Sequence, residues 1–142
     1  MPRSSWSNGL LAVHVACGTR RAELLVRSDE RILMAHQNFE SCIDACDECA
    51  AACDHCATGC LNETNVEMMR GCILLDRDCA TICRLASQFM AAGSPFAAKL
   101  SALCAEICEA CAAECEKHSA EHCRACAKAC RDCARQCRQM AA

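Results

Sequence analysis

Cysteine is the chemistry-bearing residue of this sequence. Nineteen occur in 142 residues, about 13% of the chain, above the roughly 8–10% that marks a disulfide scaffold in a short secreted protein. Eighteen of them fall into four runs. The first is Cys42, Cys46, Cys49, Cys53, Cys56 and Cys60, spaced 4, 3, 4, 3, 4. The second is sparser, with Cys72, Cys79 and Cys83. The third is Cys104, Cys108, Cys111 and Cys115, spaced 4, 3, 4, and the fourth is Cys123, Cys126, Cys130, Cys133 and Cys137, spaced 3, 4, 3, 4. Thiols in such numbers pack as small apolar groups, pair as disulfides, or deprotonate and bind soft metal ions.

Simple packing accounts for one or two buried cysteines, not for eighteen on shared seams, where Leu or Ile would fill a core better. Disulfides fit poorly with an odd cysteine count and with helical rather than turn spacing, because neighbouring thiols on one helix face do not meet bridge geometry. Cross-helix bridges stay open at this stage. Among metals, thiolates select Cu(I), Zn(II) or iron–sulfur clusters. Iron–sulfur sites draw on looped runs, and structural zinc takes four ligands, mostly on turns. Four thiolates on Zn(II) also leave about two negative charges per site, which is costly in a low-dielectric core. Cu(I) carries one charge and accepts two or three bridging sulfurs. One Cu(I) per thiolate gives a neutral core, on the order of 18 ions for the eighteen seam cysteines. Each binding event then releases a proton, so binding weakens at low pH. The alternatives are a thiol–disulfide redox protein and a general zinc buffer. A redox enzyme needs one accessible low-pKa thiol with a resolving partner, and these columns single out no such pair.

The elements that position these columns follow from the spacing. Residues at i, i+3 and i+4 share a helix face, about 5–6 Å apart at Cβ, so each run is a heptad seam. The first helix is predicted over 32–60, with Ala35 and Phe39 extending its seam. A turn follows at Leu61–Asn65, with Thr64 and Glu67 as a capping box. The second helix is predicted over Asn65–Ala92, facing inward with Met68 or Met69, Cys72, Leu75, Cys79, Cys83, Ala86 and Met90, and ending at Gly93 as C′ residue. Ser94-Pro95 reads as N-cap and N1 of the third helix. A break near Lys117–Ala120, capped by Ser119, opens the fourth. Short connections make neighbours antiparallel. The expected fold is all-α, an antiparallel up-down four-helix bundle with a cysteine-lined core over 31–142. Residues 1–30 form an N-terminal extension with Trp6, the breakers Gly9 and Gly18, a lone Cys17, and a short helix near Arg20–Arg27.

The two ends of such a bundle differ. One gathers Phe39, Phe89, Met90, Phe96, Leu100 and Met140, an apolar plug. The other gathers Cys60, Met68, Met69, Cys115, His118, His122 and Cys123. Thiol, thioether and imidazole all ligate Cu(I), so ions are expected to enter and leave there, with His118 and His122 joining the eighteen seam cysteines as metal ligands. His36 and His55 lie off the seam and read as surface residues; His14 belongs to the extension. No histidine has a glutamate three residues before it, so the ferritin-like di-iron motif is absent, and no phosphate loop or nucleophile motif occurs. The expectation is a binding protein, not an enzyme. A net charge of −3 points to neither nucleic acid nor an anionic membrane. No apolar run of transmembrane length occurs, and Thr19-Arg20-Arg21 leads into a charged stretch rather than a signal-peptide core. A cytoplasmic setting, which keeps thiols reduced, is therefore expected.

With these seams in view, residues 32–140 resemble the bacterial copper storage proteins of the cytosolic type. The resemblance rests on Cys42–Cys60, Cys104–Cys115 and Cys123–Cys137, with the sparser Cys72, Cys79 and Cys83. It implies a four-helix bundle, many Cu(I) ions on core cysteines, and a homotetramer of bundles. The extension with Cys17 lies outside the matching stretch.

Overall fold

The computed structural model describes the backbone of residues 7–141. It consists, among the described residues, of four α-helices and one 3₁₀ turn: α1 (Ser7–Leu61), the 3₁₀ turn Val66–Met69, α2 (Arg70–Ala91), α3 (Ala97–Cys115) and α4 (Glu121–Ala141). The chain divides into two compact units, Met1–Met34 and Ala35–Ala142. The side chains of His14, Cys17 and His36 lie outside the described set.

Helix α1 starts far earlier than the sequence pattern suggests, at Ser7 rather than near Ile32. Its early part holds no proline and is rich in Ala, Leu, Arg and Glu, residues of high helix propensity. An isolated glycine such as Gly18 costs a helix about 1 kcal/mol and does not stop it. At the other end of α1 the expected capping box is not formed. Asn65 occupies the N-cap of the 3₁₀ turn without a side-chain bond, so Thr64 and Glu67 do not act as a reciprocal pair. The chain instead tightens into 3₁₀ geometry before α2 begins at Arg70.

The helix topology can be read from sulfur contacts alone. Cys42, Cys49 and Cys56 of α1 meet Cys137, Cys130 and Cys123 of α4. Cys49 and Cys56 also meet Cys79 and Cys72 of α2. Cys72, Cys79 and Cys83 of α2 meet Cys115, Cys108 and Cys104 of α3. In each pair one number rises as the other falls, so sequence neighbours run antiparallel, and α4 closes the bundle against α1. The helices approach closely because the positions flanking the cysteines are small. Ala50, Ala80, Ala86, Ala105, Ala112, Ala127 and Ala134 are all buried. The core is thus cysteine and alanine, with Ile43, Ile82, Met69 and Met90 as its few larger members.

The apolar end is closed by the fully buried Met90, whose Sδ accepts from Ser101 Oγ at 3.7 Å. Phe39, Phe89, Leu100 and Met140 are partly buried against the core. Phe96, expected in this plug, is 58% exposed instead. It sits in the turn before α3, where its backbone N–H donates to Ser94 Oγ at 3.2 Å and its ring points away from the seam. That bond belongs to the turn ahead of the helix: the N-cap of α3 is Phe96, without a side-chain cap, rather than the expected Ser94. Ser119, the expected cap of α4, contributes its carbonyl to Arg124 and, among the described bonds, no side-chain cap.

The α2 terminus is a Schellman motif. Ser94 N–H donates to Phe89 O at 2.9 Å and Gly93 N–H to Met90 O at 3.0 Å, with Gly93 in the left-handed region at φ 61°. A side chain at that φ is strained. Gly93→Ala is expected to cost about 1 kcal/mol, read as a fall of a few degrees in the Tm of the reduced protein by circular dichroism, with helicity below the transition unchanged.

Candidate metal centre

All eighteen seam cysteines are fully buried and free. Their Sγ atoms run along the bundle axis in two groups, with Asp76 linking Cys72 and Cys115 of one group to Cys126 of the other, and neighbours within the groups lie 3.4 to 4.0 Å apart. That is far from the roughly 2.05 Å of a disulfide bond and suits thiol–thiol contact. At mid-bundle one sulfur from each helix converges: Cys49 lies 3.8 Å from Cys79, 4.0 Å from Cys108 and 3.6 Å from Cys130. Along the axis the sulfurs form overlapping groups of four within 4.8 Å of one another. They include Cys46, Cys104, Cys133 and Cys137; Cys53, Cys111, Cys126 and Cys130; and Cys56, Cys60, Cys72 and Cys123. Each group takes sulfurs from at least two helices, so bridging ions would tie the bundle together.

Burial pushes the thiols at the open end toward their neutral form. Cys60 is raised by loss of solvent, and Cys123 is raised to about 11 by the same cause, reinforced by charge on Cys72. Deeper in, the sulfurs pull on one another through S–H···S bonds. Hydrogen bonds from Cys137 and Cys46 draw Cys42 down, whereas hydrogen bonding with Cys104 pushes Cys108 up. The protons belong to the column as a whole rather than to single residues.

One core residue escaped the sequence pattern. Asp76 is fully buried, although Leu75 was expected to fill that seam position. Cys72, Asp76, Cys79 and Cys83 are spaced 4, 3, 4, the interval of the other cysteine runs. That spacing is the signal that identifies Asp76, and Leu75 is only half-buried at the helix margin. The Oδ1 atom of Asp76 accepts from Cys111 and Cys126 at 3.2 Å each and from Cys115 at 3.6 Å; Oδ2 accepts from Cys72 at 3.6 Å. Burial, then the negative charge of Cys126, raises its carboxyl to about 10. The column therefore has one oxygen donor among its sulfurs.

At the ligand-rich end the histidines separate. His122 Nδ1 lies 3.4 Å from Cys123 Sγ, 3.6 Å from Cys56 Sγ and 3.9 Å from Cys60 Sγ. His118 makes no sulfur contact among the described bonds. Its Nε2 is buried without a hydrogen-bond partner and stands 3.7 Å from Glu114 Oε1. It lines an open cavity of ≈ 430 Å³ together with Glu63, Met68, Met69 and Lys117. Met69 is buried at the edge of the core, whereas Met68 is 68% exposed. His55 is exposed, as its off-seam position requires.

Closed helices around a buried column of soft donors, open through imidazole and thioether at one end, define a multi-ion thiolate metal-binding bundle. The family model for copper storage proteins matches residues 35–142, and the chain belongs to that family. Solved structures agree. Copper storage protein 3 from Bacillus subtilis in its apo form is 57% identical, with 73% of this chain and 99% of that chain covered and a TM-score of 0.68. Its Cu(I)-bound form is 57% identical over 73% and 98% of the two chains, with a TM-score of 0.71. A cytosolic copper storage protein from Streptomyces lividans carrying five coppers is 34% identical over 76% and 95%, with a TM-score of 0.72. A search of curated proteins gives no match.

Asp76 yields a test with a definite sign. Its folded value of about 10 lies above the ordinary 3.8, so the folded apo protein keeps a proton that the unfolded chain releases. Its contribution is intact below the ordinary value and is lost progressively as pH rises toward about 10. Asp76→Asn, neutral and of the same shape, is expected to melt above the wild type at about pH 8 and level with it at about pH 4. Thermal melts of the reduced apo proteins check this.

Proposed function

We propose that this chain stores Cu(I) inside the bundle, bound by Cys42, Cys46, Cys49, Cys53, Cys56, Cys60, Cys72, Cys79, Cys83, Cys104, Cys108, Cys111, Cys115, Cys123, Cys126, Cys130, Cys133 and Cys137. The observation that carries this is the column of eighteen fully buried, unbridged sulfurs along the bundle axis. Thiolates bridging monovalent ions neutralise such a column, whereas divalent zinc on four thiolates leaves net charge in the core. Membership of the copper storage family and the Cu(I)-bound relative support the same cargo.

Ions enter and leave at the end where His122 touches Cys56, Cys60 and Cys123, with His118, Met68 and Met69 around the opening. The opposite end is sealed by Met90 and its neighbours. The metal-holding unit is the bundle of Ala35–Ala142, which carries all eighteen seam cysteines. The protein acts by binding and release rather than by catalysis. It works in the cytoplasm, as its Streptomyces relative does, and assembles as a homotetramer of bundles without nucleic acid or membrane partners. Among the described residues no helix is long and apolar enough to cross a membrane.

Native mass spectrometry after anaerobic exposure to equal Cu(I) and Zn(II) tests the cargo. On the order of 18 Cu(I) per chain and little zinc is the expected result. Saturation at a handful of ions, or retention of zinc in preference to copper, would contradict storage of Cu(I).

A further inference from the structure

His122 is held from behind as well as facing the sulfurs. Its Nε2 lies 3.0 Å from Glu63 Oε1. A carboxylate only accepts, so Nε2 carries the hydrogen, and a neutral imidazole then presents Nδ1 as a bare lone pair. That lone pair faces Cys123, Cys56 and Cys60. The ring also needs room against α1, and Gly59 supplies it. A Cβ there would lie 2.7 Å from His122 Cγ and 2.8 Å from Cδ2. Glycine inside a helix costs stability relative to alanine, so its place under the ring has a specific effect. Glu63 is brought into line by the end of α1: Asn62 N–H donates to Gly59 O at 3.0 Å and Glu63 N–H to Cys60 O at 3.3 Å. The Glu63 side chain is 40% exposed, which places this support at the solvent boundary of the column.

No matching arrangement serves His118. Glu114 lies over Gly71 in a similar way, but its carboxylate is taken by Lys117 at 2.5 Å, and His118 Nε2 stays beyond hydrogen-bond reach.

We infer that Glu63 and Gly59 are positioning residues for copper entry: Glu63 fixes the Nε2–H tautomer of His122 and Gly59 seats its ring, so that Nδ1 receives each incoming Cu(I) and passes it to Cys56, Cys60 and Cys123. This rests on the entry route proposed above. Partners of this kind, behind a ligating histidine, commonly change metal affinity 10–100-fold when removed.

Two readouts test it, on the full-length reduced chain. Long-range ¹H–¹⁵N correlation spectra of the apo protein, with the His122 signal assigned from His122→Ala, report the tautomer. Stopped-flow transfer of Cu(I) from a chromophoric chelator reports the uptake rate. The wild type should show protonated Nε2 and bare Nδ1. Glu63→Ala should lose that preference and take up copper about tenfold more slowly, approaching His122→Ala. Gly59→Ala should slow uptake similarly, and Glu63→Gln, which keeps a carbonyl acceptor, should restore both properties. His55→Ala, on the exposed face, should behave as wild type. An Nδ1–H tautomer in the wild type, or wild-type uptake by Glu63→Ala alongside slow uptake by His122→Ala, would overturn the positioning role alone. Wild-type uptake by His122→Ala itself would overturn the entry route, and the positioning role toward copper with it.

Discussion

The column of buried sulfur must stay electrically neutral, and the rest of the molecule follows from that requirement. Eighteen thiolates in a dry core would repel one another far beyond anything packing could offset. In the apo state neutrality is kept by protons, shared along S–H···S contacts of 3.4 to 4.0 Å. On the proposed loading, a monovalent soft cation replaces each proton without changing the net charge. A divalent ion cannot do so at four sulfurs per ion. Asp76 obeys the same rule: complete burial, then negative charge on Cys126, holds the carboxyl in its protonated form.

Neutrality also explains how the bundle can fold before its cargo arrives. A protonated cysteine is a small apolar side chain, and here it alternates with alanine so that helices pack closely with few large side chains. The ends do different work. Met90 and the half-buried Phe39, Phe89, Leu100 and Met140 seal one. The other ends in short turns that carry Glu63, His118 and His122, which leaves imidazole and sulfur within reach of solvent. Ion pairs such as Arg138–Glu109 and Arg131–Glu116 link α3 and α4 on the outer surface, away from the column, where solvent screens them.

Periodicity made much of this legible. The 4, 3 alternation of cysteines placed three of the four inner helix faces and, with short connections, their antiparallel order; Gly93 and Ser94 marked the α2–α3 turn. The gaps have physical causes. The Cys72–Cys79 interval admits either Leu75 or Asp76, and hydrophobicity favours the wrong one, because a buried carboxyl is stabilised only by thiol donors from other helices. Phe96 reads as core by composition, yet the turn geometry after Ser94 turns it outward. The early start of α1 was hidden by treating Gly9 and Gly18 as breakers, when the residues between them carry the helix. His118 and His122 look alike in sequence; what separates them is the opposite surroundings of Glu63 and Glu114, which only the folded turns reveal.

The most direct measurement is the number of protons released per Cu(I) bound. Anaerobic copper would be added to the reduced protein in weak buffer, with uptake set against a competing chelator and helicity followed by circular dichroism. Close to one proton per ion, sustained through well over ten ions on a helix signal present from the start, is the result that neutral exchange predicts. Release of far fewer protons, uptake ending after a few ions, or helix appearing only as metal binds would contradict it.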